Sequence, residues 1–371
     1  MKNKTTDIPL ISIFLPSLRG GGAERIMVTL ANAFAERGYK TDLVLAKAEG
    51  PYLKDVSERV NVVNLGASRV VKSLPALVFY LRRVRPDVML AALNHANVIA
   101  LLAKRMAGVK TRLVVSVHNP LSLSLAYTDL KRNRWMTNFM RWSFPWADGV
   151  ISVSIGVADD LATTIGLPRD QVDVVYNPID SATVLQQADQ DFHHPWFDLN
   201  EPPVVLGMGR LTAQKDFVTL IRAFAQLRAH RPVRLVILGE GALRSDLQEL
   251  IAELELNDDV AMPGFCENPF AWVRQSAVFV LSSVFEGFGN VLVEAMSCGT
   301  TVISTNCLSG PAEVLEGGKW GRLVPVGDVD AMAHAMAQTL DETDPPDVVK
   351  RAADFSVDRA VDGYLKLLFP S

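Results

Sequence analysis

Short apolar runs of strand length recur along the whole chain, and each is followed by a stretch with helical spacing. They fall at 10–15, 43–46, 62–65, 88–91, 113–117 and 150–153, then at 204–207, 234–238, 260–262, 278–281 and 301–304. A strand–helix rhythm of this kind forces parallel pairing, because the chain returns to each new strand through a helix, and the crossover is right-handed. Most of the runs are bare apolar segments without alternation, as in strands covered on both faces. The 371 residues, 49% of them apolar, supply core for more than one domain. No apolar run approaches the roughly 18 residues of a membrane span.

Two series of runs predict an α/β chain with two doubly wound, Rossmann-like domains facing across a cleft. The first domain is expected over residues 1–180 and the second over 203–355, joined by a linker at 181–202. The restriction that Pro178 places on Asn177, and the prolines at 195, 202 and 203, favour a break there. Ile26, Leu30, Ala33 and Phe34 give a first helix one apolar face, and Arg37-Gly38 is its expected stop. Residues 356–371 read as a last helix, with Ala360, Tyr364, Leu367 and Leu368 on one side, packing back toward the first domain. The N-terminus, Met1-Lys2-Asn3-Lys4 followed by the short run at 10–15, reads as the approach to a first strand and not as a secretory leader. Cys266, Cys298 and Cys307 match no zinc spacing, and so sparse a set suits a reducing cytosol.

The net charge of −4 argues against a general nucleic-acid binder. That total is uneven: residues 1–180 carry +8 and residues 181–371 carry −12. Chance scatter of surface charge is one reading. A basic first domain that meets something anionic, a lipid surface or a phosphorylated acceptor, is the other.

Three segments carry chemistry. Gly20-Gly21-Gly22-Ala23-Glu24-Arg25 lies between the first strand and the first helix, where backbone N–H groups and the helix dipole favour an anion. The three glycines are contiguous, so the dinucleotide fingerprint is absent. In the second half, Arg210 and Lys215 stand five residues apart around a turn that opens a helix, a spacing suited to clamping a diphosphate. Glu286 and Glu294 bracket Gly287-Phe288-Gly289-Asn290, a glycine-rich turn into another helix, with Glu294 expected two turns in. Carboxylates suit polyols because each accepts several hydroxyl hydrogen bonds. Taken singly, the same residues also fit a flexible turn, two solvated cations, and a capping acid beside a surface acid.

Together these segments make the second half resemble the retaining glycosyltransferases of family 4, of GT-B fold. The resemblance lies in GRLTAQKDF (209–217), LVILGEGALRSDL (235–247), PGFCENP (263–269), SSVFEGFGNVLVEAMSCGTTVIST (282–305), SGPAEVL (309–315) and GRLVPVGD (321–328). The opening PSLRGGGAERIMVTLANAFAERGY (16–39) resembles the family's acceptor-side loop. The resemblance implies transfer of a sugar, with retention, from a nucleotide diphosphate donor held mainly by the second domain to an acceptor held by the first. It implies that Arg210 and Lys215 hold the diphosphate. It places Glu286 on the sugar hydroxyls, Glu294 on the ribose, and the amides of Phe288, Gly289 and Asn290 near sugar and phosphates. Gly264 and Phe265 would lie near the base, Gly21 and Gly22 would reach the diphosphate, and His118, in VVSVHNP, resembles the family's cleft histidine. His95 is a weaker candidate of the same kind, whereas His193, His194, His230 and His334 read as structural or surface residues. Cys298-Gly299-Thr300-Thr301 departs from the family, which often has proline after that glycine; the departure alters a turn and not the chemistry. No catalytic metal or other cofactor is implied, since protein cations replace a metal at the leaving diphosphate. The family setting points to a UDP-hexose or UDP-N-acetylhexosamine, a glycan or lipid-linked acceptor such as a lipopolysaccharide precursor, and bacterial surface-polysaccharide synthesis in the cytoplasm.

The stretch YTDLKRNRWMTNFMRWSFPWA (127–147) sets Lys131, Arg132, Arg134 and Arg141 among aromatic residues. On a helix, Trp135, Phe139 and Trp142 share a face. A core helix with a basic outer face is the first expectation; an interfacial helix in peripheral contact with an anionic membrane is the second. Two further functions fit the donor-binding segments: a GT-B UDP-N-acetylglucosamine epimerase, which needs its own acid/base set, and a non-catalytic nucleotide-sugar-binding subunit, against which the complete set Arg210, Lys215, Glu286 and Glu294 argues.

Overall fold

The computed structural model describes residues 8–126 and 130–370, with the backbone alone described at 124–126 and 130–134. The basic residues Lys131, Arg132 and Arg134 therefore lie outside the described side chains, and residues 1–7 outside the described chain. The chain forms two compact units. Unit 1 comprises Met1–Pro178 with Val357–Ser371, and unit 2 comprises Ile179–Ser356.

Unit 1 holds a seven-stranded parallel sheet: β1 (Leu10–Leu15), β2 (Lys40–Leu45), β3 (Val60–Asn64), β4 (Val88–Ala92), β5 (Arg112–Val117), β6 (Gly149–Ser152) and β7 (Val172–Val174). The spatial order is β3-β2-β1-β4-β5-β6-β7, so winding reverses between β1 and β4. Its helices are α1 (Gly22–Glu36), α2 (Leu74–Val84), α3 (Asn94–Ala107), α4 (Leu121–Ala126), α5 (Leu130–Ser143) and α6 (Ile155–Ile165).

Unit 2 holds a six-stranded parallel sheet: β8 (Val204–Met208), β9 (Arg234–Leu238), β10 (Val260–Gly264), β11 (Val278–Leu281), β12 (Val302–Thr305) and β13 (Arg322–Val324). The order is β10-β9-β8-β11-β12-β13, reversing between β8 and β11. Around it lie α7 (Ser181–Ala188), α8 (Phe217–Arg228), α9 (Arg244–Glu253), α10 (Phe270–Gln275), α11 (Asn290–Ser297), α12 (Pro311–Val314), α13 (Val329–Leu340) and α14 (Val348–Ala352). In open parallel sheets, ligands bind beyond the carboxyl ends of the strands at the point of reversal. Each unit has one such point.

The helices follow from their residues. In α1 the buried face contains Ile26, Leu30, Ala33 and Phe34, and Gly38 takes a φ of 87° just past the C-cap Arg37. The last helix, α15 (Val357–Leu368), buries Ala360, Val361, Tyr364 and Leu368 in the unit 1 core. Arg37 ties the two together, donating to Asp358 at 2.8 Å and to Asp362.

The segment 181–202 is not a linker. It opens with α7, whose Asp180 cap accepts from the Thr183 amide at 3.0 Å, and continues as an aromatic cluster. Phe192, His194 and Phe197 close on Trp272, with centroids 4.7, 5.0 and 5.9 Å away. Burial of these rings holds the segment in unit 2. The chain crosses between units at Pro178 and returns after Ser356, and Ile179 and Ser356 are bridged in parallel, so both crossings are neighbours.

The aromatic face of α5 departs from the core-helix expectation. Trp135, Phe139 and Trp142 are 68, 45 and 55% exposed, while Thr137, Met140 and Ser143 turn inward. The small and flexible residues at that spacing let α5 lie close on its neighbours, which leaves the bulky rings outside.

Removing the Tyr364 ring from the fully buried core of unit 1 is expected to cost about 3–5 kcal/mol, the range for truncating a buried aromatic. Leu199, 92% exposed, is the contrast: its alanine variant is expected to stay within about 0.5 kcal/mol of the parent. Urea unfolding of both variants checks the pair.

Candidate active site

At the reversal point of unit 2, the segments after β8 and β11 are stitched together. The Val284 amide donates to the Gln214 carbonyl at 2.8 Å, the Gln214 side chain donates to the Phe285 carbonyl at 3.0 Å, and Ser282 Oγ donates to the Lys215 carbonyl at 2.7 Å. These bonds fix Lys215 opposite Glu286. Lys215 Nζ lies 2.5 Å from Glu286 Oε1, with side chains only 14 and 11% exposed. Ser283 Oγ donates to the same oxygen at 2.6 Å, and Ser309 Oγ holds the Glu286 carbonyl at 2.7 Å. Among the described residues, Oε2 of Glu286 accepts no hydrogen bond, so one oxygen is anchored and the other is available. The arrangement is that of a carboxylate set to receive hydroxyl groups.

Arg210 is exposed on the same β8 segment and has no carboxylate partner among the described residues. Asp216 ends that segment at a φ of 43° and caps α8, accepting from the Thr219 amide at 3.3 Å. Both expected cations of the motif thus sit within a few residues of a helix start, where an anion is favoured.

The turn into α11 brings the backbone forward. Gly289 is the N-cap at a φ of 88°, and Asn290 is the first helical residue. The Phe288 ring is buried against Phe355, centroids 5.2 Å apart, which leaves its backbone and not its side chain for any ligand. A Cβ on Gly310 would lie 2.4 Å from the Phe288 carbonyl oxygen, at a φ of 81°, so only glycine lets the two loops touch. Glu294 is 3% exposed and is the fifth residue of α11, little more than one turn in. The helix starts later than the glycine spacing suggests, because Gly289 is the cap.

Gly264 ends β10, and the Phe265 side chain that follows it is 77% exposed. Gly264 meets Gly239 across the strands, its carbonyl accepting from the Gly239 amide at 2.8 Å. A Cβ on Gly239 would stand 2.0 Å from the Gly209 carbonyl oxygen, so the ends of β8, β9 and β10 close up to backbone contact. Cys307 adds no nucleophile: burial first, then the charge of Glu286, pushes its thiol up to about 12.

Gly21, Gly22, His95 and His118 belong to unit 1. Gly21 caps α1, and its amide is taken by the Glu24 carboxylate. An anion therefore reaches that amide only when Glu24 turns aside. His118 follows β5 and is buried. Its Nε2 meets Ser116 Oγ at 3.1 Å, while Nδ1 has no hydrogen-bond partner. Burial lowers its pKa to about 4, so it is neutral at pH 7. His95, at the start of α3, is exposed. Ser283, Ser309 and Gln214, which hold Glu286 and its loop, were not singled out as candidates by spacing; they fall inside segments of family resemblance, and only the bonds reveal their part. Among the described residues, no group of three or more His, Cys, Asp or Glu side chains is placed to hold a metal.

Because His118 is neutral when folded and titrates near 6.5 when unfolded, the unfolded chain binds more protons between those values. Stability is therefore expected to rise with pH from about 4 to about 6.5, by about 3 kcal/mol at most from this group. Denaturant midpoints across that window, compared with His118→Gln, measure it: the variant is expected to show a flatter dependence.

Comparison with known proteins agrees with this geometry. Residues 20–183 match the model of Glycosyltransferase Family 4 and residues 189–354 match that of Glycosyl transferases group 1. The N-acetylgalactosamine-N,N'-diacetylbacillosaminyl-diphospho-undecaprenol 4-alpha-N-acetylgalactosaminyltransferase of Campylobacter jejuni is 31% identical over 344 residues, covering 90% of each chain. The lipopolysaccharide core biosynthesis glycosyltransferase LpsE of Rhizobium meliloti is 28% identical, covering 94% of this chain and 96% of its own. Among solved structures, HepE of Anabaena in complex with UDP superposes with a TM-score of 0.78 at 22% identity, over 97% of this chain and 99% of that one. The chain belongs to the family 4 and group 1 glycosyltransferases of bacterial surface-glycan synthesis and has their GT-B fold.

Proposed function

We propose that this glycosyltransferase takes a UDP-sugar, a UDP-hexose or UDP-N-acetylhexosamine, and passes the sugar with retained configuration to a lipid-linked saccharide. Transfer from a nucleotide diphosphate sugar to a glycan or lipid-linked acceptor is the activity of its family. The choice of uridine and of a lipid-linked acceptor draws support from the relatives: one is solved with UDP, and another carries diphospho-undecaprenol in its name.

The observation that carries the reading is the buried Lys215–Glu286 pair, with Arg210 exposed five residues before Lys215 and without a carboxylate partner among the described residues. Departure of the nucleotide diphosphate is the hard step, since negative charge builds on the leaving oxygens. Arg210 and the remaining donors of Lys215 neutralise it, and the amides at Gly289 and Asn290 add to the field at the start of α11. Oε1 of Glu286 is spent on Lys215 and Ser283, so Oε2 orients the sugar hydroxyls. A carboxylate tied in this way serves as a positioning group and not as a covalent nucleophile. The acceptor oxygen then attacks from the face the leaving group vacates, and the leaving phosphate takes its proton. Glu294 takes the ribose, and Gly264 and Phe265 border the base. On unit 1, Gly21 and Gly22 offer backbone amides to an anion once Glu24 turns aside, and Nδ1 of the neutral His118 can accept from a hydroxyl.

Lys215→Ala is expected to lower kcat/KM by roughly a hundredfold or more, the effect of losing one donor to a developing anion. A thermal-shift panel of nucleotide sugars chooses the donor, and product coupling constants read the configuration. Transfer by Lys215→Ala at the parent rate overturns the diphosphate role.

The exposed rings of α5 support peripheral contact with an anionic membrane at the cytoplasmic face. Among the described residues no helix is long and apolar enough to cross a membrane. Helix α3 packs on α5 and adds Met106, 56% exposed, to the exposed apolar residues, and Arg105 stacks 4.6 Å from the Trp146 centroid. Rings at headgroup depth with cations beside them suit such a surface. Vesicles rich in anionic lipid are expected to sediment the protein at low salt, and less of it at raised salt or for the doubly substituted Trp135→Ala, Trp142→Ala chain. Equal sedimentation with neutral vesicles removes the reading.

A further inference from the structure

Unit 1 contains a cavity of about 660 Å³, well within the size of a site for a drug-sized ligand. It opens at the carboxyl ends of β1 and β2 and beside the segment after β4, which is the reversal point of this sheet. None of the residues assigned to donor binding lines it. Its apolar wall comes from Val70, Val71, Val98, Ile99, Leu102 and Phe139. Two of these, Val71 and Phe139, are 62 and 45% exposed, so the wall runs out onto the surface that carries Trp135 and Trp142.

The other wall is charged. Arg19, Lys47 and Arg69 line it with a single carboxylate, Glu49. Glu49 is shared: Arg19 Nε donates to it at 2.6 Å and Lys47 Nζ lies 2.5 Å away. The two cations hold its pKa below the usual carboxylate range. Arg69 has no acidic partner among the described residues. The four formal charges leave an excess of two positive charges beside an apolar hollow. A free sugar matches neither wall, and an inorganic anion matches only one.

We infer that this cavity binds the junction of a hydrocarbon chain and a diphosphate, as found where an isoprenoid carrier joins its saccharide. A diphosphate diester carries two negative charges, equal and opposite to the excess at the rim. The first carbons of the chain would lie on the wall of Val70, Val98, Ile99 and Leu102 and leave past Val71 and Phe139 toward the exposed rings. The diphosphate would rest on Arg69 and draw Lys47 and Arg19 partly away from Glu49. Held in this way, the lipid-proximal end fixes how far along the glycan the acceptor hydroxyl is presented. The inference rests on the reading of unit 1 as the acceptor side.

The test reads binding without turnover. Farnesyl diphosphate, below its micelle concentration, is titrated calorimetrically into the full chain, with inorganic diphosphate and farnesol as the two halves. Farnesyl diphosphate is expected to bind at least about tenfold tighter than either half. Arg69→Ala and Val71→Asp, both at exposed positions, are expected to weaken it by about tenfold each while circular dichroism and melting stay those of the parent. Lys215→Ala is expected to bind it as the parent does. Binding of inorganic diphosphate as tight as that of farnesyl diphosphate overturns the inference, as does parent-like affinity in Arg69→Ala and Val71→Asp. Loss of binding in Lys215→Ala instead overturns it by moving the site to unit 2. No transfer with intact binding counts against the proposed activity and leaves the cavity standing; no binding with intact transfer does the reverse.

Discussion

The buried ion pair between Lys215 and Glu286 is the contact on which the unit 2 site depends. Two charges that are almost out of water each need a partner, and removing one from such a pair typically costs about 3–5 kcal/mol, because the other is left uncompensated. The chain meets that demand with residues that do nothing else. Ser283 shares the carboxylate oxygen, Ser282 holds the lysine's own carbonyl, and Ser309 holds that of the glutamate. Energy of this kind contributes little net stability, since an apolar pair would pack as well. Its yield is position: one oxygen of Glu286 is held by two donors, and the other accepts none among the described residues.

Position also explains the glycines. Parallel strands end in loops that converge only where winding reverses, and loops with side chains at every residue stand too far apart to form one surface. Gly239 against Gly209, and Gly310 against Phe288, bring backbone to backbone. The loop backbones therefore lie against one another at the carboxyl ends of the strands. Arg210, Lys215 and Glu286 bring charge to the loops at this end of the sheet. The glycine turn of unit 1 differs, in that Glu24 fills the space that an anion would take.

Much of this was legible in the residues because burial on both faces leaves an unmistakable mark. Strands β1, β9 and β11 begin and end where their apolar runs do. Strands β7 and β13 were missed, and the reason is physical: both are three-residue edge strands, with Asp173 in the middle of one and Arg322 at the head of the other. An edge strand buries little, so its sequence is under little apolar constraint. The segment at 181–202 was misread because its prolines and polar residues look like a tether, while the rings that pin it to Trp272 are scattered singly among them. Spacing singled out Arg210, Lys215 and Glu286 as candidates, and the fold pairs two of them, Lys215 with Glu286. It was silent on Ser283, Ser309 and Gln214, whose hydroxyls and amide matter only through the contacts the fold creates.

The uneven charge of the two halves fits the different roles proposed for the two units. In the proposed function, unit 2 meets a diphosphate with Arg210, Lys215 and a helix start at short range, so long-range attraction is not needed there. Its remaining surface is free to be acidic, which the excess of carboxylates in residues 181–371 reflects. Unit 1 faces a different problem. The proposed lipid-linked acceptor would be met by diffusion along a surface, where a field that reaches several ångströms raises the encounter rate before any contact forms. Cations on α2 and α3 and Arg141 of α5 suit such a field, and the exposed rings of α5 suit a short-range hold. Neither feature stabilises the fold, since bulky rings left in water contribute nothing to the core. Their gathering on one face of α5 is what supports the proposed contact with a membrane surface.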